Sequence, residues 1–432
     1  MATLRNCEAL LRRTSRLLRA SIIAGIAIAI LLLMCSAPLM PRALVRPAAP
    51  AAARDAAVRA TAKPPSATAA PRATSPAPSA TPAPVALEPS ATSLPPSAPP
   101  GPTAAPPLSE LGRILDRHLA DLAGIQLFQG AVLVARDGTI ILSKGYGMAN
   151  AEAGAPNTTR TRFRLASLTK MFTAMAIMQL VAQHKLDVHD SICAYLDDCP
   201  QAWRAITIHH LLTHTSGIPN YTDFADYDAT QMQPATPAQL VARFRDLPLL
   251  FAPGTSYAYA NSDYVLLGLI VERASGKTYE AFLREQIFEP LQMRDSGVEQ
   301  SAEKPDDQAI GYQSPGARAP ALDPSTLFAA GALYSTVEDL YRWDQALYTD
   351  RLLPGALRDT MFAPAFGGYG YGWQNEQVGG HRALTHPGKM DGFETFLARY
   401  PDDHLTVIVL SNLSGVDAAG IGDYLATLVL NS

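Results

Sequence analysis

Nineteen of the chain's 35 prolines fall in the 70 residues from Pro38 to Pro107, a stretch otherwise dominated by Ala, Ser and Thr and holding a single glycine. Such a composition lacks the apolar surface needed to offset the entropy of ordering a backbone, so 38–107 reads as a disordered linker. Drawn out as polyproline II it would span on the order of 200 Å, and as a flexible coil about 45 Å. Ser and Thr beside Pro also suit a glycosylated stalk. Together with residues 1–37 the tract removes 107 of the 432 residues from any folded core and leaves 325. The three domains that length alone suggests shrink to one large unit, or two interleaved ones, over 108–432.

Charge divides at the same place. Before Leu108 lie 11 of the 35 Lys and Arg and 3 of the 39 Asp and Glu, net +8; the remainder is 24 minus 36, or −12. A mildly acidic body argues against nucleic acid as a partner, because phosphate binding needs clustered cations on the folded surface. Five arginines, from Arg5 to Arg19, precede an uncharged apolar run from Ala20 to Met34. Residues 1–37 therefore read as a cytoplasmic tail and signal anchor, and positive-inside bias puts everything after Pro38 outside the cell membrane. The alternative is a secreted protein, cut after Cys35-Ser36-Ala37, although Pro38 directly after a cut is unfavourable. Met34 is not the small residue that lipidation of Cys35 would want. Cys193 and Cys199 share the external body, where an oxidising medium permits a disulfide. The loop between them is short and geometrically demanding, and two free buried thiols are the other reading. No CxxC occurs, so redox chemistry is not expected.

Within the body, Leu108, Leu111, Ile114, Leu115, Leu119 and Leu122 have the spacing of one helix face. Then GAVLVARDGTIILSKGYG places two β-rich runs around Asp137-Gly138, a strong hairpin signal. Near the other end FETFLARY and HLTVIVLSN flank Pro401-Asp402-Asp403 as a second hairpin, and Gly420 to Leu430 reads as a closing helix. From Met171 to about Gly355 the periodicity is helical, as in MFTAMAIMQLVAQ and SDYVLLGLIVERASG. The expected class is α+β: an antiparallel sheet built from both chain ends and flanked by their helices, with an inserted helical lobe and a cleft between the two as the default site.

Ser167-Leu168-Thr169-Lys170 opens the first of those inner helices, with an apolar face expected through Phe172, Met175, Ile177 and Leu180. Three residues apart, the serine and lysine share a face, and the lysine can accept or shuttle the serine proton. Taken alone, Ser167 reads as an ordinary helix N-cap. Ser301-Ala302-Glu303-Lys304 matches the same pattern, but Pro305 and two aspartates follow and no apolar helix holds it. Two further motifs lie downstream: Tyr259 is the one tyrosine with asparagine two positions later, Asn261, and His386-Pro387-Gly388 is the one HxG. The ordered set SLTK, YAN and HPG resembles the serine β-lactamase and penicillin-binding hydrolase family, in particular its branch of class C β-lactamases, D-alanyl-D-alanine carboxypeptidases and esterases. The phrases LLTHTSGIPNY, PGTSYAYANSDYVLLG, YGYGW and HPGKMDGF are similar to that family too, over nearly all of 108–432.

The resemblance implies a β-lactamase/transpeptidase-like fold and an acyl-enzyme on Ser167, with Lys170 and Tyr259 sharing the proton traffic and either one as the base. It implies that Asn261 holds a substrate amide and that His386 and Gly388 line the substrate strand, Gly388 letting the substrate come close. Oxyanion donors would be the backbone N–H groups of Ser167 and Lys389, since Pro387 has none. A phenol becomes a base only where cations favour its anion, and Lys170 would be such a neighbour. Pro387 also demands an edge strand. Related β-lactamases carry lysine, threonine and glycine in the third motif; proline here loses a hydroxyl that binds a substrate carboxylate, which argues against efficient β-lactam hydrolysis. The Lys389 side chain is the replacement candidate.

The expected function is thus an extracytoplasmic serine hydrolase, first a D-Ala-D-Ala carboxypeptidase. An esterase, D-amino-acid amidase or weak β-lactamase comes second, and a non-catalytic sensor last. Its partners would be a cell-wall peptide, ester or β-lactam carbonyl and, through the N-terminus, a membrane. No cofactor or metal is expected: His210 and His214 have metal-ligand spacing on a helix, but no third ligand is evident, and His214 reads as a hydrogen-bonding residue at the helix end. Trp203, Trp343 and Trp373 read as core, with Tyr369 to Trp373 the best pocket wall. No GxSxG exists, which excludes an α/β-hydrolase elbow.

Overall fold

The computed structural model describes residues 109–299 and 307–432. The tail, the apolar run, the proline tract, Cys7, Cys35 and the second SxxK at 301–304 lie outside the described residues. Among the described residues no helix is long and apolar enough to cross a membrane.

The chain opens with helix α1 (Glu110–Gly124), capped by Ser109, whose side chain accepts the Gly112 N–H. Strands β1 (Gly130–Arg136) and β2 (Thr139–Tyr146) form the expected hairpin, with Asp137 and Gly138 both at positive φ in the turn. At the far end, β3 (Gln374–Val378), β4 (His381–Met390), β5 (Phe393–Tyr400) and β6 (Leu405–Ser411) run antiparallel before the closing helix (Ala418–Leu430). The sheet order is β3-β4-β5-β6-β1-β2. The first strand therefore joins the last, with Gly130 opposite Ser411 and Arg136 opposite Leu405. Side chains alternate across this sheet with period two. Val132, Val134, Val407 and Val409 face Leu115 and Leu119 of α1 and Leu425 and Val429 of the closing helix. Ala131, Leu133, Ile408 and Leu410 face the inserted lobe.

That lobe is built around α2 (Thr169–Ala182), α3 (Ile208–Leu212), α4 (Asn261–Ser275) and α5 (Val337–Ala346). Two expectations need correction. Helix α2 has no exposed face: 12 of its 14 residues are buried, because it runs through the centre of the lobe rather than along its surface. Each Met, Ile or Leu buried there contributes roughly 1.5–3 kcal/mol relative to exposure. The lobe is also not wholly helical. Phe163–Arg164, Leu333–Ser335 and Gly297–Val298 form a three-stranded sheet, and Tyr312–Ser314 pairs with Ala317–Arg318. Strands of two or three residues are too short to show an alternating pattern. Cys193 and Cys199 are joined as a disulfide, with their Cα atoms 5.3 Å apart, so the free-thiol reading falls. Trp203, Trp343 and Trp373 are core, at 2%, 0% and 0% exposure.

Candidate active site

Ser167 lies in a 3₁₀ turn (Ala166–Leu168) that precedes α2, and the N-cap positions of the turn and the helix are Leu165 and Leu168, not Ser167. The N-cap reading is thereby replaced: Oγ is 3.0 Å from Lys170 Nζ and 2.8 Å from the Tyr259 hydroxyl. The turn is clamped from two sides. Leu165 N–H donates to the Leu333 carbonyl of the short lobe sheet, and the Leu165 carbonyl accepts Thr395 Oγ1–H of β5. Directly before the nucleophile Ala166 has φ +50°, a left-handed conformation that costs a residue with a side chain about 1–2 kcal/mol. Tertiary clamping holds it there.

Lys170 is completely buried. Its Nζ lies 2.7 Å from Asn261 Oδ1 and 2.8 Å from the Ala330 carbonyl, both pure acceptors, and 4.8 Å from the Tyr259 ring centroid. Burial pushes its ammonium well below the usual lysine range, outweighing the upward pull of Asp263. Nζ also donates to Ser167 Oγ, and once neutral the amine would keep its two N–H bonds for Asn261 and Ala330 and turn its lone pair to that hydroxyl. Tyr259 goes the other way from expectation: burial pushes its phenol up, with only partial relief from the bond to Ser167. It donates its O–H to Ser167, and burial outweighs what that bond does to lower it.

Asn261 opens α4. Its Oδ1 holds Lys170, its Nδ2 donates to Thr222 Oγ1 at 3.0 Å, and its backbone N–H donates to Asn220 Oδ1. One amide hydrogen is left for a substrate carbonyl. His386 on β4 is 1% exposed, and both ring nitrogens are engaged: Nδ1 donates to the Pro387 carbonyl at 2.6 Å, and Nε2 accepts the Tyr369 hydroxyl at 2.8 Å. Burial, then the Lys170 charge, push the imidazole down to about 3. It is a neutral wall of the site with no free donor for substrate.

Strand β4 is interior, not an edge strand, yet β3 reaches only as far as Thr385, so from His386 to Met390 its outer side is open. The proline is tolerated because its nitrogen faces that opening rather than β5. By alternation the Lys389 N–H faces the same way, beside the nucleophile turn. The Lys389 side chain does not: it is 78% exposed and paired with Glu394 at 2.9 Å. A side chain on Gly388 would meet Thr395 Oγ1 at 2.2 Å and the Leu165 carbonyl at 2.4 Å, so the glycine makes room for the nucleophile turn rather than for substrate.

The beta-lactamase family model matches residues 115–431. The chain belongs to the beta-lactamase family. Penicillin-binding protein 4* of Bacillus subtilis is 33% identical over 310 residues, 66% of this chain and 68% of its own. A penicillin-binding protein from Bacillus halodurans has the same fold at TM-score 0.64 and 29% identity, covering 73% of this chain and 99% of its own. A D-stereospecific amidohydrolase from Streptomyces sp. superposes at TM-score 0.62 and 26% identity, over 71% of this chain and 96% of its own. This protein is a serine hydrolase of the β-lactamase and penicillin-binding group.

In this β-lactamase-family site several residues play parts that their motifs did not specify. Tyr369, 1% exposed, buttresses His386, which narrows the expected YGYGW pocket wall to a supporting role. Gly372, at φ +76°, presses on the Lys170 carbonyl, which an added Cβ would meet at 2.8 Å. Ala330 contributes only backbone, which leaves no trace in sequence. His214 falls two residues past the end of α3 in a left-handed conformation, so His210 and His214 do not share a helix face. His210 Nδ1 instead accepts the Thr207 N–H as part of a capping box.

Proposed function

We propose that the protein acts outside the cytoplasm as an acyl-serine hydrolase of D-amino-acid amides and esters, with D-Ala-D-Ala cell-wall peptide the first substrate to try. The observation that carries the mechanism is the triangle of Ser167, Lys170 and Tyr259, with Lys170 buried among neutral acceptors. Lys170 takes the Ser167 proton as Oγ bonds to the carbonyl carbon. The Ser167 and Lys389 N–H groups receive the oxyanion. As the C–N or C–O bond breaks, the Tyr259 phenol passes its proton to the leaving group, and the Lys170 ammonium balances the phenolate. The phenolate then takes a proton from the water that attacks the acyl-enzyme ester, the Lys170 ammonium returns its proton to the departing Ser167 Oγ, and the acid is released. The disulfide supports an oxidising compartment, and the apolar run at 20–34 supports a membrane tether.

A second substrate reading rests on β4. Pro387 offers no hydroxyl, His386 has no free donor, and Lys389 is turned to Glu394, which favours leaving groups without a carboxylate, such as a simple amide or ester. The test uses the full-length protein with a D-Ala-D-Ala peptide, the same peptide capped as its C-terminal amide, and a chromogenic ester. Mass spectrometry should find an acyl adduct on Ser167, and Ser167→Ala should abolish turnover. Faster cleavage of the capped peptide supports the second reading, and faster cleavage of the free acid the first. Full activity in Ser167→Ala, or no adduct and no turnover with any of the three, sinks the proposal.

A further inference from the structure

Behind the catalytic triangle lies a polar pair that it does not use. His214 and Asp263 are both completely buried, with Nδ1 and Oδ2 3.1 Å apart. The segment carrying Tyr259 and Asn261 hangs on this pair. Ala258 N–H donates to the His214 carbonyl at 3.0 Å, and Ala260 N–H donates to His214 Nδ1 at 3.2 Å. The residues on either side of Tyr259 are therefore both tied to one histidine. Ser216 O–H donates to Asp263 Oδ1 at 2.6 Å, binding α4 to the same loop. Around the imidazole stand Tyr259, Tyr369, Tyr264 and Tyr257, their ring centroids 4.4, 4.8, 5.1 and 6.1 Å away.

The bonding fixes the protons. A ring nitrogen has one lone pair, and Nδ1 offers it to Ala260 N–H, so the imidazole proton sits on Nε2, which has no hydrogen-bond partner within its ring of phenols. Asp263 Oδ2 can approach that same Nδ1 only as a second donor sharing the one lone pair in a bifurcated bond, and so only by bringing a proton of its own. We infer that Asp263 is a neutral carboxylic acid donating O–H to a neutral His214, and that the pair are positioning residues which aim the Tyr259 hydroxyl at Ser167. Burial acts in the same direction on both, raising the Asp263 carboxyl and lowering the His214 imidazole. The titratable groups beyond the pair that bear on it are Lys170 and, on His214, His386 as well. The remaining titratable neighbours are the four tyrosines already named.

This inference rests on the acyl-serine reading and is tested in the full-length protein with p-nitrophenyl acetate, whose nitrophenolate burst reports acylation. His214→Leu and Asp263→Leu should each slow the burst about 100-fold at a nearly unchanged KM, the penalty of a misaimed proton donor. His214→Asn restores an acceptor near Nδ1 and tolerates the left-handed backbone. Asp263→Asn restores a neutral donor to His214. Both should stay within about threefold of wild type, and Asp263→Asn should keep the acid limb of the kcat/KM pH profile. A large loss or a shifted acid limb in Asp263→Asn overturns the inference, because an ionised carboxylate would then be at work; so do wild-type bursts in both leucine variants. If circular dichroism shows the leucine variants unfolded, the asparagine pair decides alone, with retention supporting and loss overturning. A burst that survives Ser167→Ala breaks the acyl-serine reading itself, a separate outcome.

Discussion

Among the described residues one lysine and one arginine are buried, and they are kept in opposite ways. Arg399 on β5, 2% exposed, donates to Asp344 of α5 at 2.9 Å, while Thr406 bonds the other carboxylate oxygen. Its guanidinium also stacks 4.3 Å from the Tyr348 ring centroid. Lys170 has no ion-pair partner among the described residues; its neighbours are a hydroxyl, an amide oxygen and a carbonyl. An arginine cannot give up its proton, so a buried one must be matched by a carboxylate, and the pair here ties helix to sheet. A lysine can, and surroundings that solvate it without a full negative charge leave it poised to do so.

Four variants press on that contrast. The largest effect is expected from Lys170→Met, which should cut acylation by about 10³-fold or more while the melting temperature holds or rises. Just below the ordinary lysine range the unfolded chain carries a proton that native Lys170 has shed. Stability therefore rises with pH through that window, by about 1.4 kcal/mol per unit, and Lys170→Met should remove this slope in denaturant titrations at two pH values. An unchanged slope would mean that Lys170 is protonated when folded. Next, Asp344→Ala strands the arginine and should cost about 3–5 kcal/mol in urea unfolding, whereas Arg399→Met with Asp344→Leu should return to wild-type stability or exceed it. Acylation per folded molecule should not change in either. Lys389→Ala is the smallest: an exposed pair is worth less than about 1 kcal/mol. A tenfold rise in KM for a carboxylate substrate, roughly 1.4 kcal/mol, would instead give that ammonium a role in binding.

The legible parts of the site are those whose signal is local. Ser167 and Lys170 meet because three residues on a helical path share a face, and the Asp137-Gly138 hairpin follows from its turn residues. Tyr259 and His386 were found as motifs, yet their protonation was misjudged or out of reach, because burial sets it and burial belongs to the folded whole. The same holds for Lys389: its place on the strand could be read, but the turn of its side chain toward Glu394 depends on β5. Ala330, Thr222 and Asn220 act through contacts with distant segments and carry no pattern of their own.

The amino-acid sequence by itself determined that the two ends of the described body make one sheet, and that a serine, a lysine and a tyrosine come together in one site. These depend on composition, period and turn chemistry, all of which act over a few residues. Only the tertiary structure decided that the Lys170 ammonium is pushed down and the Tyr259 phenol pushed up from their usual ranges. Both outcomes come from removing water, and water is excluded by α2, α4 and β4 acting together.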